Sequence, residues 1–587
     1  MATQISGSLI SRNYSSFRGV DFSNRKDEVS LNRSPDSLNM WKNYKSSNGR
    51  CIETRPEIVL HKSYDDAVLG HFFYDYNGAT HEITHVGNKL YDNDTPINLT
   101  TYTVSNEGQM SSMTDMFMSN KESKYFVYKH ENKNKLFFID GTQYLEYDGT
   151  ECKPVEGFIP TTTIGKPPIG GGTKFQDVNM LSGVRKNSFV ADGTSVEYKV
   201  DSETFDSDYP VRVWVNDKEL TSGFTAYPNE GKVVFNTAPT TPDTTGQDNV
   251  IIQFRKTIAG YRARIEKCTM IELFDNRVFF SGNPEYPHVL FHSSLDDPTY
   301  FSDLDYYEEG TSDSKVKAIV SGNNALWVFK EPSQANTTVF YHNPTIDDDY
   351  GKVYPSTHSS ISTGCVATGI NFNDDIVFFS DRGMEGISGD VTTEQVLGHR
   401  SSLIDSKLLN EKNYKDLKLT EYEGYLMAFI DNKVYLADSR TIGSNFTEYE
   451  WYYWELNKNI TSTLVKDGVL YLCANNEIYT LTNSNEEREI ESYWTTKDDE
   501  FNYPQYQKTT NKRGCVIDVN GVEINVYART DNSKFEKIDK YKIKKGYVVS
   551  KMKKKKWKSI QVKIQSTKPF SLYSLTLESY IGNYIKR

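Results

Sequence analysis

Three acidic stretches, Asp296-Asp297, Asp303 to Glu309 and Asp347 to Asp349, carry the residue type that cleaves glycosidic bonds. That chemistry needs two carboxyls held across a sugar at a fixed separation, and nothing in the spacing of these stretches fixes one. Solvated loop carboxylates are the stronger reading. His71, His81 and His85 could meet on a metal ion, but no CxxC or carboxylate-rich companion accompanies them, and they read as histidines packed in a strand or on a surface. Cys51, Cys152, Cys268, Cys365, Cys473 and Cys515 are spread thinly. Cys268, Cys365 and Cys473 read as small buried hydrophobes, with reduced thiols expected and assembly in a cytosol. GxSxG, HExxH, Walker and dinucleotide fingerprints are absent. No residue is therefore assigned a catalytic, cofactor-binding or metal-binding role, and the chain is expected not to be an enzyme.

Two further clusters could bind rather than react. Lys551, Lys553, Lys554, Lys555, Lys556, Trp557 and Lys558 could engage DNA phosphates or an acidic neighbouring subunit, although a lysine-rich edge also serves simply to keep sheets apart. Trp451, Tyr452, Tyr453 and Trp454 would be the sugar-stacking surface if the chain were a carbohydrate-binding module.

The elements that must position these residues are strands. Aromatic residues make up 13% of the chain, led by 40 Tyr and 30 Phe, which suits many short, half-buried strands rather than a helical bundle. From about Leu69 an apolar strand, a tight polar turn and a second aromatic-ended strand recur. Seven loose copies begin in LGHFFYDYNG, YFVYKHENKN, MIELFDNRVF, VKAIVSGNNA, VATGINFNDD, YEGYLMAFID and TSTLVKDGVL, with hairpin signals such as Asn77-Gly78. Such copies predict an all-β protein with a β-propeller of about six to seven blades, in preference to a sandwich of the same strands.

The repeat is interrupted. The stretch PTTTIGKPPIGGGTKF has a linker composition, and beyond it Asp177 to Lys256 reads as an inserted antiparallel β-sandwich, with Val211, Val213 and Val215 on one face and Arg212, Trp214 and Asn216 on the other. The expected organisation is an extended N-terminal arm (1–62), a first propeller part (63–160), the inserted sandwich (177–256), a second propeller part (259–485) and a C-terminal antiparallel β domain (486–587). The arm is too polar for a core of its own and is expected to pack on another chain or along the C-terminal domain. Arg400 to Tyr414 is the best short helix candidate. No segment reads as a signal peptide or membrane span, so a soluble protein is expected. The formal net charge of −12 argues against the whole chain coating nucleic acid.

The opening SFRGVDFSNRKDEVSLNRSPDSLNMWKNYKSSNGRCIETRPE resembles the start of many phage virion proteins, through Phe17, Gly19, Val20, Ser23, Ser34, Pro35, Asn39, Met40, Gly49, Arg55 and Pro56. The family is the tail nozzle, or tail tubular protein B-like, group of short-tailed phages with the related stabilisation or hub proteins. SFVADGT and GKVVFNTAP resemble its platform domain, and NRVFFSGNPEYPHVLFHSSLDDPTYFS, ALWVFKE and YWTTKDDEFNYPQYQKT extend the similarity. The chain departs from the family's pattern at Glu57, where a Gly is usual, and at Glu53-Thr54. The resemblance implies a homo-hexameric ring in the virion tail, below an adaptor on the portal and next to tail fibres or distal tail proteins, forming the conduit for genome ejection without specific DNA binding. Loops facing that conduit, drawn from Asp303 to Glu309 and Asp347 to Tyr350, are expected to be net negative, since basic side chains would hold the DNA. The platform is expected to touch the next subunit around the ring.

Overall fold

A computed structural model describes residues 7–47, 49–104, 110–115, 117–335, 337–347, 351–388, 395–440, 449–482, 488–542 and 545–585. The chain divides into two compact units, Asp66–Gly364 and a discontinuous one formed by Met1–Asp65 with Cys365–Arg587. Almost every regular element is a strand, and the short helix Asp405–Leu408 falls inside the 400–414 candidate.

The seven repeats are seven four-stranded antiparallel blades. Four lie in the Asp66–Gly364 unit, opening with Val68–Tyr76, Lys124–His130, Met270–Phe274 and Val316–Gly322. Three lie in the other unit, opening with Gly369–Phe372, Lys418–Tyr422 and Ser462–Lys466. Within each unit the opening strands of successive blades lie side by side. In several blades the opening strand is half-buried while the second and third are buried on both faces, as in Tyr425–Ile430 and Asp375–Ser380. Hence the middle strands read as continuous apolar runs and the opening strands do not. The tight turns are set by Asn, Asp and Gly, which tolerate the left-handed backbone that two-residue hairpins need; Asn77-Gly78, Asp275-Asn276, Asn323-Asn324 and Asn373-Asp374 all have positive φ. The protein is thus an all-β β-propeller protein carrying an inserted sandwich and a C-terminal β domain.

The seventh blade takes its outermost strand, Glu57–Ser63, from the end of the N-terminal arm, where it pairs with Glu477–Thr482. The arm's last residues therefore belong to a blade, a placement that local pattern does not reveal because the partner strand is some four hundred residues away.

The inserted sandwich has its own core, including Phe189, Tyr198, Val213, Val233, Ile252 and Phe254. The Thr- and Gly-rich stretch expected as a linker instead supplies strands Thr161–Lys166 and Thr173–Lys174 to the six-stranded sheet. The β-branched threonines favour the pleated surface over a free coil. Thr161–Lys166 pairs in parallel with Val184–Phe189, so the module is mixed rather than purely antiparallel.

The rest of the arm is woven into the C-terminal domain. Leu9–Ser15 pairs along Phe570–Tyr584, Ser37–Leu38 extends the five-stranded sheet, and Met40–Trp41 with Ile52–Thr54 extends the seven-stranded one. Tyr14 is buried and donates to Asp499 at 2.7 Å, where Arg12 also sits at 3.2 Å. The residues carrying the family resemblance are the tie points. Gly19 has φ +79°, and a Cβ there would lie 2.0 Å from the Trp451 carbonyl oxygen. Ser34 donates to the Thr495 carbonyl at 2.7 Å. Asn39 sits at the centre: its Nδ2 donates to the Glu491 carbonyl at 2.8 Å, and its Oδ1 accepts from Arg55 Nε and the Glu455 amide, each at 2.9 Å. Arg55 also donates to the Pro56 and Glu455 carbonyls, and burial lowers its pKa to about 10, so it remains a cation held by neutral acceptors.

Asn39→Ala removes three hydrogen bonds and leaves Arg55 Nε and the Glu455 amide without their acceptor. A loss of about 3 kcal/mol is expected, read as a lower denaturant midpoint. Tyr14→Ala, which empties a buried aromatic site, is expected to cost a similar ~3 kcal/mol.

Candidate functional site

The acidic stretch Asp303 to Glu309 does not form one solvated loop. Glu309 is fully buried; its Oε1 lies 2.8 Å from His342 Nε2 and its Oε2 accepts from Ser356 at 2.6 Å. His342 is delivered by the third strand of its blade, Val339–His342, and its Nδ1 faces the Tyr354 carbonyl at 2.9 Å. Lys330, also buried, donates to the Glu309 and Thr311 carbonyls at 2.5 and 2.7 Å. Every polar group here is capped from inside, so Glu309 cannot face a conduit, which corrects its expected place among lumen-facing carboxylates. Buried carboxylates persist when hydrogen-bonded in this way.

Asp303 and Asp305 do lie near Asp177. Burial, then the Asp177 charge, raises the Asp303 pKa, and burial pushes Asp305 up to about 6. Asp297 closes a local turn by accepting from the Thr299 amide at 2.8 Å and hydroxyl at 2.7 Å. Asp347 ends the exposed strand Thr345–Asp347, while 348–350 fall outside the described residues.

The three histidines do not converge. His81 and His85 project from one face of the Ala79–Val86 strand, whereas His71 stands opposite Thr84 and so points to the other face. His71 lies 2.9 Å from Glu82, His81 lies 2.7 Å from Asp92, and His85 contacts Ser123 Oγ at 3.0 Å and the Gly87 carbonyl at 2.9 Å. Among the described residues no group of three or more His, Cys, Asp or Glu is placed to hold a metal ion. All six cysteines are buried.

Trp451, Tyr452, Tyr453 and Trp454, expected to be available for sugar stacking, are all buried. They alternate on the strand Glu450–Glu455 between two cores: Trp451 and Tyr453 pack with Phe379 and Tyr435, Tyr452 and Trp454 with Trp41 and Tyr425. An outer blade strand covered on its second face by the N-terminal arm loses the exposure that its position alone suggests.

Two polar joints in the fifth blade escaped sequence reasoning. His399 Nε2 lies 2.6 Å from Asp405 and its Nδ1 3.2 Å from Glu385, while Ser401 Oγ donates to Asp405 at 2.6 Å. Arg400 is buried and grips Asp375 at 2.8 Å in a slot whose walls are Gly386 and Gly398; a Cβ at either would come within 2.7 or 2.1 Å of the guanidinium. Glycines inside strands were the available signal, since they mark places where another group approaches the backbone. A histidine held between two carboxylates is a cation and no general base, so both joints act as pins between strands.

The lysine cluster is a strand edge. Lys551, Lys553, Lys555, Lys556 and Lys558 are exposed, while Met552 and Trp557 are buried. Beneath them Lys508 is fully buried, donates to the Tyr503, Tyr506 and Lys558 carbonyls, and has its pKa pushed down to about 8 by burial.

No protein-family model and no curated protein matches this chain. Among solved structures, BamB from Moraxella catarrhalis aligns at 9% identity over 74% of this chain and 98% of its own, with a TM-score of 0.30. An exo-β-1,3-galactanase from Phanerochaete chrysosporium aligns at 11% identity over 52% of this chain and 94% of its own, with a TM-score of 0.21. A protein of unknown function from Bacteroides thetaiotaomicron aligns at 8% identity over 75% of this chain and 99% of its own, with a TM-score of 0.23. Likenesses this loose bear on neither the chemistry nor the partners of this chain.

The His399 joint is testable by pH. Hydrogen bonds to Asp405 and then Glu385 raise its pKa to about 10, against about 6.5 unfolded. Its stabilisation is therefore complete below about pH 6.5 and is lost as pH rises through about 10. His399→Asn is expected to lower the thermal midpoint most at pH 6 and progressively less towards pH 10. A deficit that does not change with pH would contradict the charged joint.

Proposed function

We propose that this chain is a structural virion protein, a nozzle or hub of a phage tail. Several copies, six by the family's pattern, form a ring around the conduit through which genomic DNA leaves. It works by assembly rather than catalysis, is put together in the host cytoplasm and resides in the virion tail, with portal-side adaptor and distal tail proteins as neighbours. The observation that supports this reading most is the role of the resembling residues. Gly19, Ser34, Asn39 and Arg55 are the points that bind the arm to blades and C-terminal domain. A shared pattern at such points speaks for a shared architecture rather than a shared reaction.

The inserted sandwich adds a second support. It has a core of its own, and Ile169 is 76% exposed and Phe175 60%. Apolar side chains left in water outside that core suit contact with another subunit.

Particle images of the purified protein, alone and with its portal-side assembly, are expected to show a ring with a continuous axial hole. A monomer under every condition, or glycan hydrolysis abolished by replacing one carboxylate, would overturn the reading. Ile169→Asp combined with Phe175→Asp is expected to prevent ring formation and leave the unfolding midpoint within about 0.5 kcal/mol of the wild type, as for other surface changes.

A further inference from the structure

Charge along this chain is segregated. Residues 486–587 hold 22 Lys and Arg against 13 Asp and Glu, whereas residues 1–485 hold 45 against 66. Within the C-terminal domain, 534–558 carry twelve lysines against Glu536 and Asp539 alone. Ten of those lysines are exposed. Lys540, Lys554 and Lys558 reach carboxylates of the same domain, at Glu523, Glu536 and Glu500. Among the described residues Lys551, Lys553, Lys555 and Lys556 show no such ion pair.

These lysines border a sheet face that exposes apolar side chains among polar ones. On the edge strand Lys545–Ser550, Tyr547 is 76% exposed and Val549 45%. The register sets Val549 beside Val516 and then Thr576, and Tyr547 beside Asp518 and then Ser574. Val516, Thr576 and Ser574 are β-branched or small, and Asp518 places one carboxylate on the same face. Further along, Tyr580 stands opposite Leu9, and both are exposed. Lysines placed only to keep edges apart would not need an exposed Tyr and Val between them. A phosphate backbone would engage the lysines but gain nothing from the valine row, whereas a protein surface uses both.

We propose that this face is the docking surface for the acidic blade surface of a second copy of the chain. The proposal rests on the ring reading above and names the surface that builds the ring. The contact has to be heterologous, because the face set against itself would oppose lysine to lysine; head-to-tail contacts of this kind generate rings where the rotation between copies closes. Salt bridges of exposed lysines are screened by salt, so assembly depends on ionic strength.

The test uses the full chain and follows oligomeric state by sedimentation velocity against protein concentration and salt. The wild type is expected to assemble at 0.05 M salt and to need at least tenfold more protein to assemble at 0.5 M, about the range over which screening tightens severalfold. Lys551→Glu with Lys553→Glu and Lys555→Glu is expected to raise the concentration for assembly at least tenfold at low salt and to leave the melting curve unchanged. Tyr547→Ser with Val549→Ser is expected to weaken assembly equally at both salt concentrations. If the triple reversal assembles like the wild type, the docking proposal falls while the ring reading stands. A wild type that is monomeric throughout defeats both. If the wild type binds a 30-base-pair duplex with an affinity the reversal abolishes, while assembly is unaltered, the face is a nucleic-acid surface and the proposal is wrong.

Discussion

The amide of Asn39, with both its ends engaged, is the constraint on which the discontinuous unit depends. It joins three pieces distant in sequence: the arm through Arg55, the sixth blade through Glu455, and the C-terminal domain through Glu491. The arm has no separate core and buries Tyr14, Phe17, Met40, Trp41 and Ile52 in the core it shares with the blades and C-terminal domain, so its ordering is offset by groups elsewhere. The buried Arg55 cation makes its hydrogen bonds to carbonyl and amide oxygens, with Arg488 and Glu57 as charged neighbours, so losing an acceptor is costly. Gly19 and Ser34 repeat the logic with backbone groups of the sixth blade and the C-terminal domain.

The polar groups with most chemical promise are spent on the same kind of work. Glu309 with His342, His399 between its carboxylates and Arg400 in its glycine slot each fasten strands whose apolar faces already pack. Apolar packing alone does not fix the position of one such strand against the next. Hydrogen-bonded charges in a low-dielectric interior do, because a small displacement leaves a buried charge unpaired.

The blades were legible in sequence because hairpin turns are local: Asn77-Gly78, Asn323-Asn324 and Asn373-Asp374 declare themselves within four residues. What was not legible depended on distant partners. The strand Glu57–Ser63 finds its blade only through Glu477–Thr482. The burial of Trp451 to Trp454 depends on the arm covering one side of their strand, and composition cannot distinguish an aromatic in a core from one offered to a ligand. The 161–174 stretch was misread because its glycines and prolines outweighed threonines that were already paired in a sheet. The lysine edge was visible as a run of charge, but the exposed Tyr547 and Val549 beside it come to one face only through register.

The discontinuity of the unit formed by Met1–Asp65 and Cys365–Arg587 bears on how the chain is made. Met1–Asp65 leaves the ribosome first, yet its partners begin at Cys365. At roughly 5–20 residues per second the arm waits on the order of 15–60 s while the intervening unit is synthesised and folds. A strand-forming segment left unpaired for that long invites the wrong neighbour. The polar, charge-dotted composition that makes the arm a poor core former is, on that timescale, what keeps it single until its own partners arrive.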